Sequence, residues 1–175
     1  ALAVAVAYGI PYDVSIDTLN KVQNVAGRFE IVHKTPLVIV DYAHTPDGLE
    51  NVLKAAREIT PEGSKLICLF GCGGDRDTTK RPKMGAIAEK FADKVIITSD
   101  NPRSENPNQI ISDIVAGLKS MNPERVYVEP DRGKAIRLSK SISTEKDVIV
   151  LAGKGHEDYQ ILADKTIHFD DREEA

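Results

Sequence analysis

Five compact apolar runs, most of them followed by a segment of helical periodicity, restrict this chain to one broad architecture. The runs are Leu37 to Val40, Lys65 to Phe70, Val95 to Thr98, Val126 to Val128 and Val148 to Leu151. Each is short and nearly unbroken, the pattern of a strand covered on both faces. After the first run, Leu49, Val52, Leu53 and Ala56 fall at i, i+3, i+4 and i+7, one face of a helix. Pro46 opens that helix, because proline suits a first turn whose N–H has no partner. Met84, Ile87, Ala88 and Phe91 mark a second helix, and Ile110, Ile111, Ile114 and Leu118 a third. A fourth is expected around Ala135 to Ile142. Strand and helix in alternation with short connections imply right-handed βαβ units. The expected fold is α/β: a Rossmann-like, mostly parallel sheet flanked by helices. Tyr159 to Leu162 and Thr166 to Phe169 read as a closing hairpin turned by Asp164 and Lys165. Asp170 to Ala175 are charged, and are expected to fray or to begin a helix.

The first 25 residues break this pattern. Ala1 to Tyr8 form an apolar run too short to span a bilayer, and without the charged start of a signal peptide. The run reads as the last turns of a buried helix, ended by Gly9 and Pro11. A short helix is expected over Ser15 to Val22 with Ser15 as its cap. Asn24 to Arg28, containing Gly27, reads as a linker. The expectation is a helical remnant of a preceding domain, with the chain beginning inside a larger protein.

Composition narrows the function. The 175 residues suffice for one domain and a small extra piece, and 41% apolar content can bury a core. A net charge of −4 argues against nucleic acid, which calls for a basic patch. Cys68 and Cys72 are the only cysteines, so neither a zinc site nor a disulfide framework is indicated.

In an open α/β sheet, ligands bind beyond the carboxyl ends of the strands. Four strand ends carry unusual segments. Asp41-Tyr42-Ala43-His44-Thr45-Pro46 places an acid and a histidine beside a helix start, which suits nucleotide contacts or simply a capped turn. Gly71-Cys72-Gly73-Gly74-Asp75-Arg76-Asp77 lets backbone approach a ligand, yet matches neither GxxxxGK[ST] nor GxGxxG. Its plain alternative is a salt-bridged loop. Asp100-Asn101-Pro102-Arg103 is a stiffened loop that can present Arg103 as a fork for a carboxylate, or a common Asn-Pro turn. Gly153-Lys154-Gly155-His156-Glu157 is a second glycine-rich segment, whose charges could equally be solvated. Lys80 and Lys83 read as solvated surface. Taken together, Arg76 and Arg103 can hold carboxylates, while Glu157 and Asp100 can hold ammonium groups. That inventory fits a polar amino acid with an extra carboxylate.

These segments resemble those of the Mur ligases, the ATP-dependent enzymes that build the peptidoglycan stem peptide. The resemblance covers essentially the whole chain. Residues 1–25 look like the end of the central ATP-binding domain and its linker, and residues 26–175 like the C-terminal Rossmann-like, amino-acid-binding domain. Asp41-Tyr42-Ala43-His44, Gly71 to Asp77, Gly153 to Glu157 and above all Asp100-Asn101-Pro102-Arg103 are most similar to the members that add meso-diaminopimelate. The tetrapeptide is that group's recognition motif, and lysine-adding members carry another residue in place of the arginine. The resemblance implies that Arg76 and Arg103 bind diaminopimelate carboxylates. Asp100 and Pro102 belong to the motif, and Asn101 would orient the ligand. The Gly153 carbonyl and Glu157 would hold the distal ammonium. Arg28 would reach the ATP phosphates, Asp41 the ribose, and Tyr42 and His44 the nucleotide pocket.

The implied reaction joins diaminopimelate to UDP-N-acetylmuramoyl-L-alanyl-D-glutamate. ATP first phosphorylates the D-glutamate side chain, and the amine then attacks the acyl phosphate. The implied cofactors are ATP and Mg2+, held mainly by the central domain, so no catalytic or metal-binding residue is expected in this chain. A cytoplasmic monomer without membrane insertion is the corresponding expectation. Three other readings share parts of this pattern. A nicotinamide oxidoreductase would want GxGxxG after the first strand, which is absent after Val40. A non-catalytic small-molecule-binding module shares the fold. Lysine-adding and folylpolyglutamate-type ligases share the domain plan, but would not be expected to carry the Asp100 to Arg103 motif.

Overall fold

The computed structural model describes residues 1–21 and 25–175. Helices α1 (Leu2–Ala7) and α2 (Tyr12–Lys21) precede the sheet domain. Ser15 is not a cap: it lies within α2, and its hydroxyl donates to the Pro11 carbonyl at 2.9 Å. Serine in a helix interior often bonds back to the preceding turn in this way. No residue of α1 is buried, and Val4, Tyr8 and Tyr12 are exposed. The expected end of α2 at Val22 and the start of the linker at Asn24 lie outside the described residues.

Strands β1 (Glu30–Lys34), β2 (Leu37–Asp41), β3 (Leu66–Phe70), β4 (Lys94–Ile97), β5 (Val126–Val128) and β6 (Val148–Ala152) form one sheet, in the order β1-β2-β6-β3-β4-β5. All neighbours are parallel except β1, which pairs antiparallel with β2. The sequence pattern did not reveal β1. It is an edge strand with a polar, half-exposed face and an irregular register between Ile31 and His33, so it carries no apolar run. The hairpin of β7 (Tyr159–Ile161) and β8 (Thr166–His168) forms a separate two-stranded sheet.

Both faces of the main sheet are covered, which explains the unbroken apolar runs. Ile39, Cys68, Phe70, Ile97 and Val150 pack on one side against α3 (Pro46–Ile59), α4 (Lys80–Phe91) and α5 (Pro107–Val115). Their chain neighbours Val38, Val40, Ile67, Leu69, Ile96 and Leu151 face α6 (Arg132–Ser141) on the other. Successive side chains alternate faces, so a strand with two buried faces must be apolar throughout. The third helix stops at Val115, short of Leu118, which packs on the core from the following turn. The C-terminal segment does not fray. Asp170 caps α7 (Asp171–Glu174), and Asp171 is wholly buried against Arg132.

Buried Arg81, at the start of α4, anchors this helix to α5. It donates to Asp113 and to Glu105, each at 2.9 Å. The Arg81 hydrogen bonds hold both carboxyl groups below their ordinary range. A depressed folded pKa contributes stability above the unfolded value that is lost as pH falls through the folded one. Acid titration should therefore separate wild type from Glu105→Gln. Stability should converge as pH drops below the ordinary glutamate range, and a constant difference down to strongly acid pH would contradict the assignment.

Candidate functional site

Residue pairing aligns Asp41, Ala152 and Phe70 across β2, β6 and β3, and Phe70 with Ile97 of β4. The four segments singled out in the sequence therefore leave the sheet along one edge. They enclose a cavity of about 490 Å³. Three cations, Arg76, Arg103 and Lys80, and three carboxylates, Asp77, Asp100 and Glu157, line it, with Asn101, Gly153, Tyr42 and His44.

The loops that carry Arg76 and Arg103 are tied together. Asp75, with φ of 53°, accepts from the Ser104 backbone and hydroxyl, and its own N–H donates to Glu105. The Ser104 bonds hold the Asp75 carboxyl below its ordinary range. Gly74 N–H donates to the Asn101 carbonyl at 2.9 Å. Arg103 also has a positive φ of 53°, and its Nη1 donates to the carbonyls of Gly74 at 2.8 Å and Asn101 at 3.3 Å. One edge of its guanidinium is thus fixed on backbone, a rigid mount for a planar fork. Arg76 is exposed, and among the described residues it donates only to the Asp75 carbonyl.

The close approach of these loops requires glycine. A Cβ on Gly74 would lie 1.9 Å from the Pro102 carbonyl oxygen. Gly74→Ala should therefore push the two loops apart, at a cost of about 3 kcal/mol, the upper end for overpacking. Thermal unfolding checks the cost; an unshifted midpoint would contradict it.

The acidic end is more organised than the sequence suggested. Asn101 is buried; its Nδ2 donates to Glu157 at 2.9 Å, and its Oδ1 accepts from the Ile161 backbone. Asp100 is 8% exposed, and its Oδ1 has no hydrogen-bond partner. Lys154 is completely buried, with Nζ 3.6 Å from Asp100 Oδ1, 3.5 Å from Glu157 Oε2 and 3.4 Å from Asn101 Oδ1. Gly153 has a φ of 116°, a conformation that side chains rarely adopt.

Of the residues expected to contact a nucleotide, Tyr42 and His44 line the cavity and Arg28 does not. Arg28 lies 4.8 Å from the Tyr42 ring centroid, and Tyr42 packs at 4.6 Å against His44 and 5.4 Å against His156. Asp41 does not line the cavity. Its two oxygens accept from the Phe29 and Ala43 backbones, fixing the chain on either side of β2. Pro102 also turns away, lining a second cavity beneath the hairpin rather than this one.

Three pocket features escaped the sequence reading. Lys80 is not free surface: it is half-buried, lines the cavity and donates to the His44 carbonyl at 2.7 Å. Lys83 is exposed as expected. Tyr159, read only as hairpin, reaches the cavity from β7. The burial of Lys154 gave no local signal beyond its place between two glycines at a strand end. Among the described residues, no group of three His, Cys, Asp or Glu is placed to hold a metal ion.

The fold and the pocket together define a Rossmann-like domain with a cavity lined by charges of both signs at the carboxyl edge of its sheet. The model of the Mur ligase, glutamate ligase domain, matches residues 27–155, and the chain belongs to the Mur ligase family. The chain is 57% identical over 177 residues to UDP-N-acetylmuramoyl-L-alanyl-D-glutamate–2,6-diaminopimelate ligase 1 of Clostridium acetobutylicum, covering 99% of this chain and 36% of that protein. It is 52% identical over 180 residues to the ligase of the same type from Thermosynechococcus vestitus, covering all of this chain and 35% of that one. A solved structure of such a ligase superimposes with a TM-score of 0.79 at 39% identity, over 99% of this chain and 35% of its own. The chain thus spans about a third of the length of these relatives.

Proposed function

We propose that this chain is the amino-acid-binding portion of a ligase that joins meso-diaminopimelate to UDP-N-acetylmuramoyl-L-alanyl-D-glutamate at the expense of ATP. The observation that carries the reading is the convergence of Arg76 and Arg103 with Glu157 on one cavity. Meso-diaminopimelate has two carboxylates and two ammonium groups. Lysine lacks one carboxylate and would leave a guanidinium facing nothing, which a site built for a charged partner resists. Gly153 and Asn101 would complete the ammonium end. The names of the relatives point to the same amino acid.

Residues 1–25 would belong to the end of a preceding ATP-binding domain, and residues 26–175 to the amino-acid-binding domain. Exposed Val4, Tyr8, Ile10 and Tyr12 fit a segment that packs against more protein. Arg28, Tyr42 and His44 would face the nucleotide. Arg28 is exposed, and its guanidinium beside the Tyr42 ring is suited to phosphate charge and an aromatic base. Asp41 would act on the ribose only through lone pairs left over from its two backbone bonds. ATP supplies the activated acyl phosphate. The task of this chain is then to hold the amino acid and offset charge at the moment of attack. Unpaired Cys68 and Cys72, buried in the core with thiols pushed up to about 12 by desolvation, suit a reducing, cytoplasmic setting.

The direct test is amide formation by the full-length protein with ATP and the UDP-linked dipeptide, supplied with either meso-diaminopimelate or lysine. Incorporation of diaminopimelate in large preference is expected. Equal incorporation of both would overturn the reading. The isolated 175-residue chain should form no product.

A further inference from the structure

The acidic end of the cavity contains more charge than one ammonium group requires. Asp100 and Glu157 supply two carboxylates. Lys154 lies between them, wholly buried, at 3.6 Å and 3.5 Å. Lys154 is wholly enclosed, while the Asp100 and Glu157 side chains are 10% and 16% exposed and both line the cavity. What separates the two carboxylates is their bonding: among the described residues Asp100 Oδ1 has no hydrogen-bond partner, whereas Glu157 accepts from Asn101 Nδ2. The buried arginines beneath the cavity loops are already matched: Arg132 by a two-point pair to Asp171, and Arg81 by Glu105 and Asp113. A fully buried ammonium without a counter-charge is strongly unfavourable, as is an enclosed carboxylate without one.

We propose that Lys154 and Asp100 form an internal counter-charge pair, which leaves Glu157 as the single net negative charge addressing the ligand ammonium. Lys154 is then a specificity-determining residue. It matches the charge of the pocket to one ammonium group and, through Asn101 Oδ1, holds the amide that aims Glu157. This rests on the proposed amino-acid reading of the cavity.

The pairing makes a specific demand on full-length enzyme. Lys154→Met leaves two carboxylates and no internal cation. Asp100→Asn leaves Glu157 offset by Lys154, with no net negative charge for the ligand ammonium. Each should raise the KM for meso-diaminopimelate by about tenfold or more, while the KM for ATP stays within about twofold. The double variant restores a single negative charge and should return the diaminopimelate KM to within about threefold of wild type. If Lys154 and Asp100 merely support the loops, the double variant will bind at least as poorly as the worse single variant, and the pairing is overturned. Should Lys154→Met fail to fold, the comparison of Asp100→Asn with the double variant still decides, because recovery is demanded there too. Arg103→Ala separates the two levels. If it leaves the preference for diaminopimelate over lysine unchanged, the amino-acid reading itself fails. If it abolishes that preference while the double variant does not recover, only the counter-charge pairing fails.

Discussion

Replacing Arg103 with alanine should weaken meso-diaminopimelate binding to the full-length protein by about 3 kcal/mol, roughly 150-fold in Kd, and erase the preference over lysine. The magnitude follows from truncating one partner of a charge pair that closes away from water. The fold should survive. The Gly74 N–H to Asn101 carbonyl bond, at 2.9 Å, and the Ser104 bonds to Asp75 hold the two loops together without the guanidinium. Lysine at the same position should rescue only in part. It supplies a point charge but not a planar fork held on the Gly74 and Asn101 carbonyls. Calorimetric titration of both amino acids against the three proteins measures the effect. Retention of diaminopimelate preference by Arg103→Ala would show that the selectivity lies elsewhere.

The second large effect lies beneath the pocket. Arg132 opens α6 and makes a two-point pair with Asp171 of α7, with contacts of 2.7 Å and 2.6 Å; both side chains are fully buried. The same guanidinium donates to the carbonyl of Ala152 at 3.1 Å and to that of Ser99 at 3.5 Å. These two residues immediately precede Gly153 and Asp100, so one side chain supports both cavity-lining loops. Removing one member of such a pair strands the other charge in the interior. Arg132→Met should therefore destabilise the domain by about 4 kcal/mol, lowering its unfolding midpoint by roughly 8–16 °C. Arg132→Met combined with Asp171→Leu should recover much of that loss, because no charge is then left uncompensated. Thermal unfolding of the single and double variants checks both statements; equal losses in the two would contradict the stranded-charge account.

The fold was legible where physics acts locally. Buried parallel strands must be apolar on both faces, so β2, β3, β4 and β6 appear as unbroken runs, and Pro46, Thr45 and Leu49 to Ala56 announce α3. Edge strand β1 was hidden, because an exposed strand that pairs only on one side needs no such run. The C-terminal residues could be read as fraying or as the start of a helix, and the helix forms through a distant partner: Arg132, 39 positions away, neutralises Asp171 in the interior. The pocket divides in the same way. Glycine spacing and the rigid Asn101-Pro102 step identified which loops matter, and those loops do converge on one cavity. Which residues of each loop face inward depends on partners distant in sequence. Asp41 spends both oxygens on the Phe29 and Ala43 backbones, Pro102 turns to the opposite side, and Lys80 and Lys154 turn inward. No local pattern encodes those choices.

In the proposed function, two guanidinium groups and one carboxylate of this domain grip opposite charges of the same amino acid. A crystal structure of the full-length protein with meso-diaminopimelate tests it most directly. The account predicts one ligand in the cavity, with a carboxylate against Arg103 and Arg76 and an ammonium group within hydrogen-bonding distance of Glu157. A ligand bound elsewhere, or seated in the cavity with its ammonium groups far from Glu157, would contradict it.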